Sequence, residues 1–298
     1  MDPLVFVLVA GAAVLHVAWN VLLKTAGDPL RAAAVGMTAA AAVIVPAAAI
    51  GWIAIGRPPI PPEAIVLGLA SGVLEAAYFG FLAAAYRRGD LSVVYPIARG
   101  TAPLLAVAVG IGILGERLGP PGIVGVGALL VGLLSLQRPW RFLRAAGRRA
   151  AGDTAIAFAI ATGVMIASYS AVDRVGSRLV EPWLYAGLIW AFCVVFLWLW
   201  VAIAGRLGGA TPTDASPLNL RRAAIGGWLT LAAYLLILFA FSVAPLTAVA
   251  PLRESAIVLA SGWGTLRLGE GGDRTETIRR IAASALVVVG AILLALDG

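Results

Sequence analysis

The chain has 298 residues, of which 61% are hydrophobic and only 12% charged, and its mean hydropathy is +0.97. A soluble domain has about 25% charged residues, so this composition excludes a water-soluble globular protein. The net charge of +7 comes from arginines that cluster between apolar runs. That distribution is typical of cytoplasmic loops facing anionic lipid, and we therefore expect no nucleic-acid partner.

Ten apolar segments of about 20 residues follow one another along the chain, each suited to crossing a bilayer as a helix. They are 4–24, 30–54, 63–86, 91–114, 120–137, 154–175, 181–204, 219–243, 245–267 and 276–296. Short connections rich in turn residues join them, and the longest well-defined connection, 138–153, contains five arginines. The sequence predicts an all-α integral membrane protein with ten transmembrane helices.

The basic connection 138–153 divides the chain into two halves of five segments each. The stretch DLSVVYPIARGTAP (90–103) aligns with PLTAVAPLRESAIV (245–258) at an offset of 155 residues. This alignment pairs Pro96 with Pro251 and Arg99 with Glu254. Because five is odd, the second half enters the membrane in the opposite sense, which predicts inverted repeats. The predicted domains are 1–137, a basic cytoplasmic linker at 138–153, and 154–298.

The distribution of lysine and arginine predicts the orientation of the chain in the membrane. Sixteen of these residues lie at the odd-numbered connections and four at the even-numbered ones. Positive charge is enriched on the cytoplasmic side of membrane proteins. The bias therefore places the odd-numbered connections in the cytoplasm and both termini outside.

Two stretches resemble the signature of a known family. GDLSVVYPIARGTAPLLAVAVGIGILGERL (89–118) and APLTAVAPLRESAIVLASGWGTLRLGE (244–270) are similar to the paired motifs of the drug/metabolite transporter superfamily, in its ten-helix EamA-type branch. The resemblance implies a secondary transporter, and members of similar shape export amino acids, including aromatic ones, while others move drugs, sugars or nucleotide-linked compounds. It also implies cytoplasmic termini, against the arginine bias. The second motif ends in GEGGD where the first ends in GERLG, which departs from the pattern.

The fourth and ninth segments carry prolines and charges within apolar sequence. These residues are Tyr95, Pro96 and Arg99 in the fourth segment and Pro251, Arg253 and Glu254 in the ninth. A proline inside a helix leaves a carbonyl without its usual partner, and in lipid that carbonyl needs water or a neighbouring helix. We therefore expect Pro96 and Pro251 to shape their helices beside a cavity.

Two roles are open for the charges of these segments. In the structural role, Arg99 or Arg253 pairs with Glu254 and holds the two halves together, since an unpaired charge in a membrane is costly. In the functional role, an arginine binds the carboxylate of the substrate through its two-pronged guanidinium group. The two roles are compatible if the substrate exchanges with the ion pair.

Other polar and aromatic side chains predict the lining of a substrate-binding site. They are His16, Trp19 and Asn20 in the first segment, Glu75 and Tyr78 in the third, Tyr169 in the sixth and Tyr234 in the eighth. An aromatic lining with few polar groups suits a mostly apolar substrate. Ordinary packing or hydrogen bonding between helices remains the alternative for each residue. Glu75 is also a candidate proton carrier, and Asp173 is a further intramembrane charge.

The sequence predicts neither an enzyme nor a bound metal or cofactor. The chain has one histidine, His16, and one cysteine, Cys193, which together cannot supply the usual ligand set of a metal site. No Walker A, HExxH or GxSxG motif is present. Small residues of the fifth and tenth segments, among them Gly125, Gly127 and Gly290, are interpreted as helix-packing surfaces.

These observations together predict a transporter or facilitator that exports neutral and aromatic amino acids and related metabolites by alternating access. The expected location is the bacterial inner membrane, and the expected partners are the small-molecule substrate and the lipid bilayer. Internal duplication makes a monomer sufficient. A proton-coupled multidrug exporter of the same fold is the first alternative, and a membrane-embedded enzyme or a non-transporting scaffold are the others.

Overall fold

The computed structural model describes residues 2–88, 91–138, 150–206, 217–254 and 274–297, and these residues form ten α-helices. The helices are α1 (Pro3–Lys24), α2 (Pro29–Ala54), α3 (Pro62–Tyr86), α4 (Leu91–Gly112), α5 (Pro120–Gln137), α6 (Ala150–Gly176), α7 (Pro182–Arg206), α8 (Leu220–Val243), α9 (Leu246–Glu254) and α10 (Arg274–Leu296). Each corresponds to one predicted apolar segment. The segment predicted at 245–267 is described as far as Glu254, so its remainder lies outside the described residues.

Six of these helices are long and apolar enough to cross a membrane. The spans are Pro3–Asn20, Pro29–Ala54, Pro62–Tyr86, Thr154–Gly176, Pro182–Arg206 and Leu220–Val243. Shorter apolar stretches occupy Ile97–Gly112, Pro120–Leu136 and Ile281–Leu294. The protein is therefore a multi-pass helical membrane protein. Helix α6 begins inside the predicted linker, at Ala150, whereas its apolar span begins at Thr154.

Local sequence signals set the helix ends. The Asp28 carboxylate accepts a hydrogen bond from the backbone N–H of Arg31 at 2.9 Å, and the Asn219 side chain accepts one from Arg222 at 3.0 Å. Both are N-caps that satisfy a backbone donor left free in the first turn. Helix α5 ends at Gln137, because the next residue, Arg138, has a left-handed φ of 46° that cannot continue the helix.

Helices of the first half pack mainly against helices of the second half. The extensive pairs are α5 with α10, α3 with α6, α1 with α8, α3 with α7, α2 with α7, α4 with α6, and α2 with α8. Each helix of one half has a counterpart five positions away in the other half, and we call the replacement of helices by their counterparts the n + 5 exchange. Under this exchange the pair α1–α8 corresponds to α6–α3, and α2–α8 corresponds to α7–α3. All four pairs are present. The pairs α2–α7, α4–α9 and α5–α10 convert into themselves.

Glycines allow the closest of these contacts. A Cβ on Gly36 of α2 would lie 2.8 Å from the Ala223 carbonyl oxygen of α8, and a Cβ on Gly72 of α3 would lie 2.8 Å from the Cys193 nitrogen of α7. The two contacts occupy pairs related by the n + 5 exchange. Glycine at these positions lets the helix backbones approach to a distance that any side chain would prevent.

The α5–α10 interface confirms the helix-packing interpretation for two glycines and corrects it for a third. A Cβ on Gly125 would lie 2.8 Å from the Gly290 carbonyl oxygen, and a Cβ on Gly290 would lie 2.6 Å from that of Gly125. Gly127 is exposed, and a Cβ on this residue would meet open space. A residue two positions from Gly125 points away from the interface, because successive residues of a helix are about 100° apart around its axis.

Gly227 of α8 offers a direct test of this packing. A Cβ on Gly227 would fall on the backbone carbonyl of Gly36, so the Gly227→Ala variant must separate α2 from α8. We expect a loss of about 1–3 kcal/mol in the free energy of unfolding, as for other overpacked interfaces, and a lower thermal midpoint of the detergent-solubilised protein. Gly127→Ala is the matched control, and equal midpoints for the two variants would contradict the close contact.

The connections separate into two groups on opposite ends of the helix bundle. At one end, Arg87 pairs with Asp28 at 2.6 Å and the Asn219 N–H donates to the Ala26 carbonyl at 2.8 Å. These contacts bring together the first, third and seventh connections, and we call this the odd end. At the other, the even end, Arg178 donates to the Ser242 carbonyl at 3.1 Å and the Gly119 N–H donates to Asp297 at 3.1 Å.

Candidate functional site

A buried ion-pair network joins the two halves where α4 meets α9. The Arg99 Nη1 atom lies 3.0 Å and 3.3 Å from the two carboxylate oxygens of Glu254. The Arg253 Nε atom lies 3.4 Å from the same carboxylate. All three residues are at most 6% exposed. The ion pair expected from the alignment of the halves is therefore present, and Glu254 contacts both arginines rather than one.

Arg253 makes further contacts that fix its position. Its Nη1 atom donates to the Ser170 hydroxyl at 3.3 Å, and its guanidinium carbon lies 5.9 Å from the centre of the Tyr169 ring. A guanidinium group over an aromatic face is attracted by the electrons of the ring. Helix α6, which carries both partners, thus holds Arg253 beside Glu254.

Seven rings form a continuous aromatic chain through the bundle. The distances between successive ring centres are 5.6 Å for His16–Trp19, 6.5 Å for Trp19–Phe79, 4.8 Å for Phe79–Tyr78, 6.0 Å for Tyr78–Tyr169, 5.9 Å for Tyr169–Tyr234 and 5.3 Å for Tyr234–Trp190. These spacings are those of interacting aromatic pairs. The chain passes from α1 through α3, α6 and α8 to α7, and so links helices of both halves.

A small cavity with several polar lining groups lies between α1, α3, α4 and α6, and in this conformation it has room for about one water molecule. Its lining consists of Asn20, Tyr78, Leu82, Tyr86, Ala98, Arg99, Thr162 and Ile166. Arg99 is its charged group, and the Asn20 amide, which donates to the His16 carbonyl at 2.7 Å, is another polar lining group. Tyr86 is the last residue of α3, so the cavity extends toward the odd end of the bundle.

A second cavity of similar small size lies next to the first, between α1, α2, α3 and α8. Its lining is almost entirely apolar and consists of Trp19, Leu23, Ala32, Ala33, Gly36, Met37, Phe79, Ala223, Gly226, Gly227 and Thr230. Trp19 and Phe79 line this apolar cavity, whereas their chain neighbours Asn20 and Tyr78 line the polar one. The two cavities therefore lie on either side of the same stretches of α1 and α3.

Two buried acids lie deeper in the bundle, beyond the polar cavity. Glu75 of α3 is 4% exposed and Asp173 of α6 is fully buried. The hydroxyl group of Tyr234 donates a hydrogen bond to Asp173. Within the described ranges, no three histidine, cysteine or acidic side chains come together as a metal site.

At the even end of the bundle, Glu116, which follows α4, connects the first half of the chain to the second. Its carboxylate accepts hydrogen bonds from the N–H groups of Leu246 at 2.7 Å and Thr247 at 2.9 Å, at the start of α9. The Arg174 Nε atom lies 3.3 Å from the same carboxylate. A carboxylate at a helix N-terminus satisfies free donors and the positive end of the helix dipole. Both cavities, by contrast, lie toward the odd end.

The structure gathers most of the predicted site residues around the cavities and the aromatic chain. His16, Trp19, Asn20, Glu75, Tyr78, Arg99, Tyr169, Tyr234, Arg253 and Glu254 are all described there. The side chains of Tyr95 and Pro96 lie outside the described residues, although α4 is an unbroken helix across both positions. Pro251 is buried inside α9, which also continues through it.

Several residues of this region were not predicted as site residues from the sequence, among them Phe79, Glu116, Arg174 and Tyr185, a fully buried residue of α7 near Asp173. Phe79 and Tyr185 carry no signal that separates them from ordinary apolar packing residues. Glu116 does carry such a signal, because it is an acid in the GERLG sequence at the end of the first motif, soon after an apolar helix. Arg174 is one of only four basic residues predicted at the even connections, which also marks it.

The first half of the chain matches a known protein family. Residues 3–137 match the sequence model of the EamA-like transporter family. A solved structure described as "Crystal structure of protein" superposes on this chain with a TM-score of 0.69, covering 98% of this chain and 96% of the other, at 20% sequence identity. That likeness shows a shared fold over nearly the whole chain. No curated protein matches the sequence.

Proposed function

We propose that the chain is a membrane transporter of the drug/metabolite transporter superfamily that exports amino acids, because residues 3–137 match the EamA-like transporter family. The proposed cargo is neutral and aromatic amino acids and related small metabolites. The proposed location is the inner membrane of a bacterium. Of the described side chains, Arg99 carries the proposal, because this permanently charged group both lines a cavity and belongs to a buried ion pair.

A zwitterion suits this site for electrostatic reasons. An amino acid carries a carboxylate, which a guanidinium group binds through two hydrogen bonds, and an ammonium group, which a carboxylate binds. A zwitterion inserted between Arg99 and Glu254 satisfies both partners without changing the net charge of the site. An ion of one sign would leave one of these buried partners uncompensated, which is costly.

We place the side chain of the substrate at the neighbouring apolar cavity, which must widen during the transport cycle to receive it. Its lining of Trp19, Met37 and Phe79 suits an aromatic or branched aliphatic group. Apolar pockets with a few polar groups at one end commonly fix the orientation of such ligands. The substrate-binding residues we propose are His16, Trp19, Asn20, Glu75, Tyr78, Tyr95, Arg99, Tyr169, Tyr234, Arg253 and Glu254.

The proposed architecture has ten transmembrane helices in two inverted repeats, 1–137 and 154–298, joined by the cytoplasmic linker 138–153. The n + 5 exchange of the helix-packing pairs supports this duplication. Transport then occurs by rocking of one half against the other around the central site. Closure at the even end by Glu116, with cavities toward the odd end, corresponds to the state open to the cytoplasm. A second copy is unnecessary because the second half replaces it, so we propose a monomer.

A proton-coupled multidrug exporter of the same fold is the second candidate function. The buried acids Glu75 and Asp173 favour it, because an exporter of cationic drugs needs an intramembrane acid. The ion pair at Arg99 argues against it, since a cationic drug entering this cavity meets a positive charge first.

The primary test measures uptake of radiolabelled Phe, Trp, Leu and Thr and of a cationic dye into proteoliposomes containing the purified chain. We expect the amino acids to enter faster than into protein-free vesicles, and the dye to remain outside. Entry of the dye alone would overturn the amino-acid proposal and support the drug exporter.

Phe79→Ala tests the apolar cavity directly. The variant loses apolar contact with a large side chain, so we expect the apparent KM for Phe and Trp to rise about tenfold and that for Thr to stay within about twofold. Phe81→Ala is the matched control, because Phe81 lies on the same helix but packs against Trp200 and Phe158 outside both cavities. An equal rise for Thr would contradict a separate side-chain cavity.

A further inference from the structure

The binding of a zwitterion between Arg99 and Glu254 gives no role to a second buried acid, Asp173, which lies beside Glu75. The cluster around these two acids is built from four helices, with Glu75 and Ser71 on α3, Asp173 on α6, Tyr185 on α7 and Tyr234 on α8. Each of these side chains is at most 4% exposed. Polar groups buried this deeply in a membrane protein are costly unless they are satisfied, and they commonly mark functional sites.

The hydrogen-bonding capacity of Tyr234 implies a further proton in this cluster. A tyrosine hydroxyl has one hydrogen to donate, and Tyr234 donates it to Asp173. The same hydroxyl also interacts with Glu75. Once its hydrogen is committed to Asp173, the hydroxyl satisfies Glu75 only by accepting a hydrogen bond, and a carboxyl group donates one only when it holds a proton.

Unpartnered polar atoms surround the same position. The Asp173 Oδ1 atom, the Ser71 hydroxyl and the Tyr185 hydroxyl are buried without a hydrogen-bond partner among the described residues. The Ser71 and Tyr185 hydroxyl groups lie near the Asp173 carboxylate but outside hydrogen-bonding geometry. The end of the Tyr185 ring packs against Gly176, which has no side chain to displace it. The cluster therefore has a free acceptor with two hydroxyl groups next to it, a setting suited to one additional small cation.

The buried charges of the bundle core also leave room for one positive charge. Arg99 and Arg253 are positive, whereas Glu254, Glu75 and Asp173 are acids, and all five are at most 6% exposed. Fully ionised, this group has one uncompensated negative charge. Arg253 interacts with both Glu75 and Asp173, and its closest acid is Glu254. The other titratable groups facing Glu75 are Tyr234, Cys193, Tyr169 and Tyr185, and those facing Asp173 are Tyr234 and Tyr185.

We propose that Glu75 and Asp173, bridged by the hydroxyl group of Tyr234, bind the proton that drives this transporter. The inference rests on the proposed transport function and adds its energy source. In the loaded state the Glu75 carboxyl donates to Tyr234, which donates to Asp173. Release of the proton leaves two acids competing for one hydroxyl and for Arg253, which draws Arg253 away from Glu254. Proton occupancy thereby changes the ion pair that receives the substrate.

The experiment uses proteoliposomes of the full chain containing a pH-sensitive dye and labelled Phe. A pH gradient of one unit is expected to drive accumulation of Phe up to about tenfold above equilibrium for one proton per substrate, accompanied by proton movement. Asp173→Asn is expected to reduce both accumulation and proton movement to background while exchange of labelled for unlabelled Phe remains measurable. Cys193→Ala, which removes a neutral neighbour of Glu75, is the matched control and is expected to accumulate Phe like the parent chain.

The outcomes separate the two proposals. Exchange of Phe by the parent chain, without accumulation or proton movement under the gradient, overturns proton binding and leaves the transport proposal intact. Accumulation driven by a sodium gradient alone overturns the proton as the bound cation. Absence of Phe exchange in the parent chain contradicts the transport proposal itself. Tyr234→Phe provides a second variant if Asp173→Asn fails to fold, and its unchanged proton movement would contradict the bridging role.

Discussion

Replacement of Arg99 by alanine is expected to reduce amino-acid uptake by about 100-fold or more while leaving the protein folded. Truncating one partner of a buried, hydrogen-bonded charge pair commonly costs about 2–5 kcal/mol of binding energy, which corresponds to this loss. The fold is expected to survive because Glu254 keeps Arg253 as a partner at 3.4 Å. The Glu254 carboxylate therefore retains a positive neighbour in the variant.

Arg253→Gln is the matched variant that separates the two roles of this network. It removes the other positive charge from the same carboxylate and leaves the 3.0 Å pair between Arg99 and Glu254 in place. Arg99 lines the polar cavity and Arg253 does not. If Arg99 makes the main contact with the substrate carboxylate and Arg253 a supporting one, Arg99→Ala loses far more uptake than Arg253→Gln. Equal losses of uptake and of thermal midpoint in the two variants would show that the arginines only hold the halves together.

Removal of the Glu116 carboxylate is expected to open the even end of the bundle. In Glu116→Ala, the N–H groups of Leu246 and Thr247 lose their acceptor and Arg174 loses its partner at 3.3 Å. Charge-assisted hydrogen bonds each contribute about 1.5–3 kcal/mol, and allosteric couplings of about 1–3 kcal/mol change populations 5- to 150-fold. We expect the state open at this end to become at least about tenfold more populated. Transport is expected to slow because the protein returns less readily to the state in which this end is closed.

The opening is measured by the reactivity of a cysteine placed behind the closure. Thr247→Cys in a Cys193→Ala background introduces a single thiol at a fully buried position beside Glu116. We expect a membrane-impermeant maleimide to label this thiol about tenfold faster when Glu116→Ala is added. Arg178→Ala is the control, because Arg178 contacts the Ser242 carbonyl at the same end but not Glu116. Equal labelling with and without Glu116 would refute the closure.

The sequence determines the helices of this protein almost completely. Residues typical of helix starts, such as Asp28, Pro120 and Asn219, separate apolar runs of bilayer length. The positions of the helix ends therefore follow from short local signals. The contact between Arg99 and Glu254 was also predictable, because the aligned halves place these residues at equivalent positions of neighbouring helices. Both inferences require only the order of residues along the chain.

Only the tertiary structure decides which side chains contact one another at the site. Which face of α3 meets α6 and α7 depends on the close approaches at glycines such as Gly72, where a single Cβ would change the rotation and separation of the helices. That rotation decides that Glu75 lies near Asp173 and that Phe79 joins the aromatic chain. Glu116 reaches the start of α9 across 130 residues of sequence. The periodicity of the sequence indicates which side chains share a helix face, but not which face of another helix they contact. None of these three contacts could therefore be predicted from the sequence.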